Sequence, residues 1–95
     1  MERKFVIVCY DIPDTKKRNR MVHFLHTTGL SRIQYSVFSG VIPISRLSRM
    51  EQIIRQDFSG KETRVLILPI CRTCIPQITS TNMAFLTEAR SYFVV

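Results

Sequence analysis

Asp11 is the one carboxylate of the chain whose position suits a catalytic or metal-binding role. Asp11 directly follows the apolar run KFVIVCY, which is typical of a strand buried on both faces. A carboxylate at a strand end reaches solvent from a rigid backbone, as in many metal and catalytic sites, although a turn-forming aspartate is the simpler interpretation. Asp14 already occupies the position of a helix N-cap. Asp11 therefore has no evident structural duty, and we consider it as a metal ligand.

One carboxylate does not hold a metal ion by itself. Mg²⁺ keeps several waters and is bound through one or two carboxylates together with substrate phosphates. Asp11 and its copy in a homodimer would make a sparse site for Mg²⁺, or for another divalent cation such as Mn²⁺. Such a site would bind weakly until a phosphodiester arrived.

The other candidate ligands and nucleophiles have simpler interpretations. Cys71 and Cys74 form one C-x-x-C pair, which is half of a structural zinc site and lacks the helix that a redox motif would open. His23 and His26 lie three apart on a predicted helix without a third ligand, so we interpret them as packing or surface residues. Ser36 has no activating base near it in the sequence.

The charge of the chain indicates a polyanionic partner. Lys and Arg number 14 against 7 Asp and Glu, for a net charge of +7, and residues 1–50 hold nine basic and three acidic residues. A one-sided basic field on a small domain is expected of a protein that binds a phosphate backbone. The first two turns of the helix after Asp14 contain four cations, which disfavour a helix N-terminus by about 0.3–1 kcal/mol each. We predict that these residues contact nucleic acid: Lys16, Lys17, Arg18 and Arg20.

Length and hydropathy indicate one small cytoplasmic domain. A chain of 95 residues makes a thin core, and 45% hydrophobic residues is a generous share, so part of the apolar surface is expected to pack against a second copy. No apolar run approaches the roughly 20 residues of a membrane span, and KFVIVCYDI is too short for a signal peptide. Three cysteines do not suggest a secreted disulfide framework.

The order of elements predicts an α+β fold. A strand, a helix stopped by Gly29, the strand pair of RIQYSVFSG and VIPI, a second helix capped by Ser45 or Ser48, and the strand ETRVLILPI follow one another. A ferredoxin-like β-α-β-β-α-β sandwich accounts for this order. We predict a single domain over residues 1–95, with a core at about 3–70 and a tail at 71–95 for dimerisation or partner docking. The terminal SYFVV has strand composition and is expected to add to the partner's sheet.

The segment RIQYSVFSG carries two alternating sets of side chains. One set suits a core face and the other is expected to face the dimer cleft, with Ser36 at a kink or bulge where the strand passes into its hairpin neighbour. Ser36 would then support Asp11 by its position. The first set is Ile33, Tyr35 and Val37, and the second is Arg32, Gln34, Ser36 and Phe38.

These pieces together resemble one family. VIVCYDIPD at the first strand, arginine on the following helix, Gly29 and then RIQYSVFSG are similar to the pattern of the second core CRISPR-associated protein, the small partner of the adaptation integrase. The similarity is strong over residues 5–40 and looser through VLILPICRTC to the terminal YFVV.

The resemblance implies a fold, an assembly and two activities. It implies a ferredoxin-like homodimer whose two sheets face each other, with the C-terminal strand crossing to the partner and the two Asp11 side chains binding a divalent metal. It implies a metal-dependent endonuclease acting on RNA or DNA. In spacer acquisition it implies a dimer that bridges two integrase dimers, with duplex DNA across its basic surface.

The resemblance also assigns roles to single residues. Asp11 would be the catalytic metal ligand, Arg18 or Arg20 would meet phosphate, and Arg32 would line the same cleft. The acidic residue that the family usually carries between Phe and Gly is Ser39 here, which weakens the case for a further carboxylate at the metal. The supporting residues around the site would be Tyr10, Ser36 and Phe38.

Three functions stay open at this point. The chain is a Mg²⁺-dependent phosphodiesterase, or a basic scaffold that holds duplex DNA and docks the integrase, or a toxin-type ribonuclease of the virulence-associated protein D kind. Charge placement favours nucleic-acid binding directly, whereas nuclease activity follows from the resemblance and from Asp11.

Overall fold

A computed structural model describes residues 2–81 and 84–93 of the chain. In chain order the elements are β1 (Arg3–Asp11), α1 (Thr15–Thr28), β2 (Ser31–Gln34), β3 (Val37–Pro43), α2 (Ile44–Asp57), β4 (Arg64–Ile70), a 3-10 helix (Ile75–Gln77) and α3 (Leu86–Phe93). None of the described helices has the length and apolarity that crossing a membrane requires.

The four strands form one antiparallel sheet in the order β2-β3-β1-β4. This order, with a helix after β1 and another after β3, is that of a ferredoxin-like fold, and it confirms the predicted α+β class. β1 lies in the interior of the sheet, as its nearly continuous apolar sequence requires. The end of β1 is therefore held by neighbouring strands on both sides.

Alternate residues of β1 contribute to two separate apolar clusters. Val6, Val8 and Tyr10 belong to the larger cluster, which is completed by buried residues of α1 and α2. Phe5 and, less buried, Ile7 lie on the opposite side of the sheet in a smaller cluster. Because side chains alternate along a strand, both faces of β1 are apolar, as predicted.

α1 begins and ends where the sequence predicts. The Asp14 carboxylate accepts a hydrogen bond of 2.8 Å from the N–H of Lys17, and this satisfies one of the free donors of the first turn. Gly29 ends the helix with a φ of +106°, a left-handed conformation that glycine adopts without strain. Met21 and Leu25 are fully buried on the inner side of the helix.

α2 follows β3 without an intervening residue. The strand ends at Pro43, whose extended backbone occupies the N-cap position of α2, and the N–H of Ile44 donates to the carbonyl of Glu2 at 3.1 Å. The prediction of a cap at Ser45 or Ser48 is therefore wrong, because both lie inside the helix. The inner side of α2 buries Leu47, Met50 and Ile54.

The predicted terminal strand SYFVV is wrong for residues 91–93, which form the last turn of α3. Residues 94–95 lie outside the described residues, so an edge strand there stays a prediction. Tertiary packing accounts for the helix, since Leu86 and Ala89 are fully buried at helical spacing and pack in the smaller cluster with Phe5. The strand composition of the segment is overridden by this packing.

A side chain of α3 also completes the hydrogen bonding of β3. The carboxylate of Glu88 accepts a hydrogen bond of 3.0 Å from the backbone N–H of Val41. Val41 lies beyond the part of β3 that pairs with β2, since that pairing extends only to Ser31 opposite Ser39. The tail is thus fixed to the sheet by both apolar packing and one charge-assisted hydrogen bond.

The segment RIQYSVFSG is a hairpin rather than one long strand. β2 ends at Gln34, β3 begins at Val37, and the register shifts between Arg32 and Gln34. Ser36 lies in the turn between them, close to where the sequence predicts a kink. The predicted alternation is wrong, because the turn reverses the chain: Tyr35 is 75% exposed and Phe38 is fully buried.

Candidate active site at the end of the central strand

Asp11 is the last residue of β1, and its side chain is exposed. In the antiparallel pairing of β1 with β4 it lies directly opposite Arg64, the first residue of β4. Within the described part of the chain, neither the Asp11 carboxylate nor the Arg64 guanidinium has a hydrogen bond or an ion pair. A negatively charged and a positively charged side chain thus lie side by side at the end of the sheet, and both are free to bind other groups.

The sequence did not lead to Arg64 as a site residue. The signal was available in the fold prediction, because an antiparallel neighbour of β1 begins beside the end of β1. A shallow hollow of about 250 Å³ lies at this place. Its lining residues are Cys9, Tyr10, Asp11, Arg64, Val65 and Leu66.

The three residues predicted to support Asp11 lie together beside it. The backbone N–H of Tyr10 donates a hydrogen bond of 3.0 Å to the carbonyl of Ser36. The rings of Tyr10 and Phe38 are 6.2 Å apart at their centroids, and both residues are buried. The strand position before Asp11 is therefore fixed by a backbone hydrogen bond on one side and by ring packing beneath.

Arg18 holds the turn that follows Asp11. Its Nη1 donates to the carbonyl oxygens of Ile12 and Pro13 at 3.0 and 3.1 Å, and its Nη2 donates to the hydroxyl of Thr15 at 3.4 Å. The guanidinium is thus committed to the backbone next to Asp11. In this arrangement Arg18 positions the loop, which is a different role from the phosphate contact that the resemblance implies.

Lys17 is also occupied within the chain. Its Nζ donates to the carbonyl of Ser59 at 2.8 Å and to the hydroxyl of Thr63 at 3.0 Å, and so ties α1 to the loop between α2 and β4. Two of the four cations in the first turns of α1 therefore have structural reasons to be there. Their position near a helix N-terminus is therefore explained without an external ligand, and contact of Lys17 and Arg18 with nucleic acid stays a prediction.

Three of the predicted nucleic-acid contacts remain accessible. Lys16 is exposed and has no polar partner among the described residues. The guanidinium of Arg20 lies 5.6 Å from the ring centroid of Phe58, and that of Arg32 lies 5.4 Å from the ring centroid of Phe38. Stacking on an aromatic face leaves the N–H groups at the guanidinium edge free to bind phosphate.

Asp11 offers a single ligand to a hard cation. No group of three or more His, Cys, Asp or Glu side chains that could enclose a metal occurs among residues 2–81 and 84–93. Asp11 supplies one unengaged carboxylate, which is the ligand type of Mg²⁺ and Mn²⁺. Cys71 and Cys74 are exposed after the far end of β4 and are not part of this site.

The sheet has an incompletely covered outer face, opposite α1 and α2. We define it by Ile7 and Cys9 on β1 and by Leu66 and Leu68 on β4, which pair in register. Leu66 is 54% and Leu68 is 38% exposed, whereas Ile7 and Cys9 are half-buried. α3 covers only the other end of this side of the sheet, around Phe5.

Residues 4–78 match the family model described as CRISPR associated protein Cas2. This match covers α1, α2 and all of the sheet except Arg3. The chain belongs to the Cas2 family. Membership of the Cas2 family confirms the resemblance seen in VIVCYDIPD and RIQYSVFSG, and it decides against the toxin-type family as the assignment of the chain.

Named Cas2 proteins are similar over most of the chain. A protein of Methanospirillum hungatei named CRISPR-associated endoribonuclease Cas2 1 is 39% identical over 75 residues, which is 79% of this chain and 79% of that protein. One of Archaeoglobus fulgidus with the same name is 28% identical over 91 residues, or 93% of this chain and 97% of that protein. These Cas2 relatives are thus named for cleavage of RNA.

Solved structures agree with the fold. A crystal structure of a Cas2 protein superposes with a TM-score of 0.61 at 32% identity, covering 73% of this chain and 76% of the other. A hypothetical protein from Thermus thermophilus superposes with a TM-score of 0.66 at 26% identity, covering 74% and 84% of the two chains.

Proposed function

We propose that this Cas2 protein acts as a homodimer that binds nucleic acid and cleaves RNA in a Mg²⁺-dependent reaction at Asp11. The observation that carries the proposal is the unengaged Asp11 carboxylate at the end of β1, directly opposite the unengaged Arg64. The names of the relatives, which describe endoribonucleases, support the choice of RNA.

Each residue of the site has a separate part in this reaction. Asp11, together with Asp11 of a second copy, would hold Mg²⁺ or Mn²⁺, and the ion would supply a Lewis acid for the phosphodiester. Arg64 would neutralise charge on the phosphate from the β4 side. Arg18 would hold the loop after Asp11 in place. Ser36 and Phe38 would keep Tyr10, and with it the end of β1, rigid.

The exposed apolar side chains of the outer face favour the proposed dimer. Exposed leucines at positions 66 and 68 form an apolar strip beside the hollow at Asp11, and a second copy packed on this strip would remove them from water. The same packing would bring a second carboxylate toward the first. The dimer thus serves both the stability of a thin domain and the completion of the metal site.

A scaffold role in CRISPR adaptation is the second candidate. The accessible cations Lys16, Arg20 and Arg32, together with a net charge of +7, favour the binding of a phosphate backbone, including that of duplex DNA. In this role the dimer would bridge the adaptation integrase while the integrase performs the chemistry. The two roles use different residues, so they can be separated.

Asp11→Asn tests the catalytic proposal. We expect cleavage of single-stranded RNA in Mg²⁺ to fall by at least the roughly 10- to 100-fold that follows loss of an outer-shell metal partner. The matched control is Asp14→Asn, which removes a neighbouring carboxylate but retains a capping side chain. Equal cleavage by parent and Asp11→Asn would reject the catalytic role. Spacer acquisition retained by an Asp11→Asn protein that no longer cleaves RNA would favour the scaffold.

A further inference from the structure

Tyr35 is the most exposed of the large hydrophobic side chains that the structure describes. Its side chain is 75% accessible, and it stands in the turn between β2 and β3. Turns of this kind favour Gly, Asn, Asp and Ser, so a tyrosine there gains nothing from turn chemistry. An aromatic ring held in water at such a place is suited to bind another group.

The backbone that carries Tyr35 is fixed. Ser36, the next residue, has a φ of +64°, the one positive φ of a non-glycine residue among the described residues. Left-handed backbone costs a non-glycine residue about 1–2 kcal/mol and persists where the surrounding structure enforces it. Here the carbonyl of Ser36 is bound by the N–H of Tyr10, and Gln34 and Val37 pair across the turn.

This turn lies at the same end of the sheet as Asp11. Tyr10, which binds Ser36, is the residue before Asp11, and β3 is the strand next to β1. Neighbouring strands lie about 5 Å apart. Asp11 therefore has Arg64 on its β4 side and the Tyr35 turn on its β3 side. A cation, a carboxylate and an exposed aromatic ring thus follow one another across the strand ends, in the order Arg64, Asp11, Tyr35.

We propose that Tyr35 stacks on an unpaired base of the nucleic acid whose phosphate binds Arg64, next to Asp11. The proposal rests on the proposed function, and what it adds is a residue that binds a base of the RNA. Every base has a π-face, so one tyrosine would accept any base and select for strandedness rather than for sequence. In a duplex both faces of a base are covered by its neighbours, so the ring would have no partner.

Affinity for RNA with and without bases tests the stacking. Equilibrium binding is measured in EDTA, so that no metal-dependent cleavage occurs, with a single-stranded RNA, the same strand carrying abasic sites, and a duplex. Tyr35→Ala should weaken binding of the intact single strand by roughly 5- to 150-fold. The affinity of Tyr35→Ala for the abasic strand and for the duplex should stay within about twofold of the parent's. Tyr35→Phe keeps the ring and should bind like the parent.

A fluorescent variant reports the stacking directly. The chain contains no tryptophan, so Tyr35→Trp introduces a single indole at the proposed contact. Its emission should be quenched on addition of the intact single strand and should change little with the abasic strand. This readout does not depend on cleavage. If the parent protein does not cleave RNA but quenching and the Tyr35→Ala effect occur, the catalytic proposal fails and stacking stands.

Three results would overturn the stacking. Tyr35→Ala could bind the intact single strand as tightly as the parent, or it could lose affinity equally for intact and abasic strands, which would mean that the ring does not read bases. It could also lose affinity together with a change of molar mass in light scattering. That result would assign Tyr35 to the contact between two copies.

Discussion

The carbonyl of Ser36 accepts a hydrogen bond of 3.0 Å from the backbone N–H of Tyr10. A strained turn residue is thereby joined to the strand position that precedes Asp11. Since Ser36 acts through its backbone, its side chain is not required for this link. We therefore expect Ser36 to support the site by its position, without a chemical role for its hydroxyl.

Ser36→Gly should therefore keep cleavage and raise the free energy of unfolding. Glycine adopts a φ near +64° without the cost of about 1–2 kcal/mol that another residue has there, although it loses more backbone entropy on folding, so the net gain is expected to be below about 1 kcal/mol. Ser36→Val, with a branched side chain, should lower stability. Chemical denaturation and RNA cleavage measure the two effects. Loss of cleavage in a stable Ser36→Gly protein would instead give the hydroxyl a chemical role.

Arg64→Ala should impair cleavage more than removal of the same positive charge elsewhere on the surface. Hydrogen bonds to charged groups contribute about 1.5–3 kcal/mol, so kcat/KM for single-stranded RNA should fall by roughly 10- to 100-fold. Arg55→Ala is the matched control, since it removes an exposed arginine from the last turn of α2 rather than from the edge of the site. Equal losses in the two variants would mean that Arg64 contributes only to the general field.

The salt dependence of DNA binding should distinguish the cations of α1 that contact phosphate from Lys17, which is bound within the chain. Replacing Lys16 and Arg20 by alanine should reduce the slope of log K against log salt by roughly 0.9 for each phosphate of duplex DNA that is no longer neutralised. Lys17→Met should leave the slope nearly unchanged, because its Nζ is already bound to Ser59 and Thr63. A slope that falls as much for Lys17 as for Lys16 would contradict this division.

Lys17→Met should instead reduce stability. Removal of the ammonium takes its hydrogen bonds from the Ser59 carbonyl and the Thr63 hydroxyl, at a cost of about 1 kcal/mol in the free energy of unfolding. Lys16→Met is the control, because Lys16 makes no such bonds and should change stability by less than about 0.5 kcal/mol. Urea denaturation of both variants checks the difference.

Glu88→Ala should loosen α3 from the sheet. The N–H of Val41 loses its acceptor, so its hydrogen exchange should accelerate by roughly fivefold to tenfold, corresponding to about 1–1.5 kcal/mol. Thr87→Ala, on the same turn of α3, is the control and should leave the Val41 amide protected. Unchanged exchange in Glu88→Ala would mean that packing of Leu86 and Ala89 alone holds the helix.

The sequence predicts well those features that local chemistry determines. Asp14 and Gly29 bound α1 because a side-chain oxygen and a left-handed backbone are needed at those positions. The free carboxylate of Asp11 follows by elimination, once Asp14 is assigned to the cap. The strand order follows from the sequence of elements, because few connections of such elements are permitted.

Features that depend on distant contacts could not be predicted. The helical state of residues 91–93 depends on Phe5 and Val41, which lie far away in the sequence. The roles of Lys17 and Arg18 depend on carbonyl groups whose positions only the folded chain defines. The sequence pattern puts Tyr35 on a core face because a turn of Tyr and Ser lacks the glycine or asparagine that marks most hairpins.

The direct junction of β3 and α2 has a consequence for how the chain tolerates insertions and deletions. With no loop between Pro43 and Ile44, one added residue would rotate the whole of α2 by about 100° about its axis. Leu47, Met50 and Ile54 would then leave the core together. Natural variation in length should therefore be confined to other connections, such as the segment between α2 and β4, while this junction admits changes of residue type only.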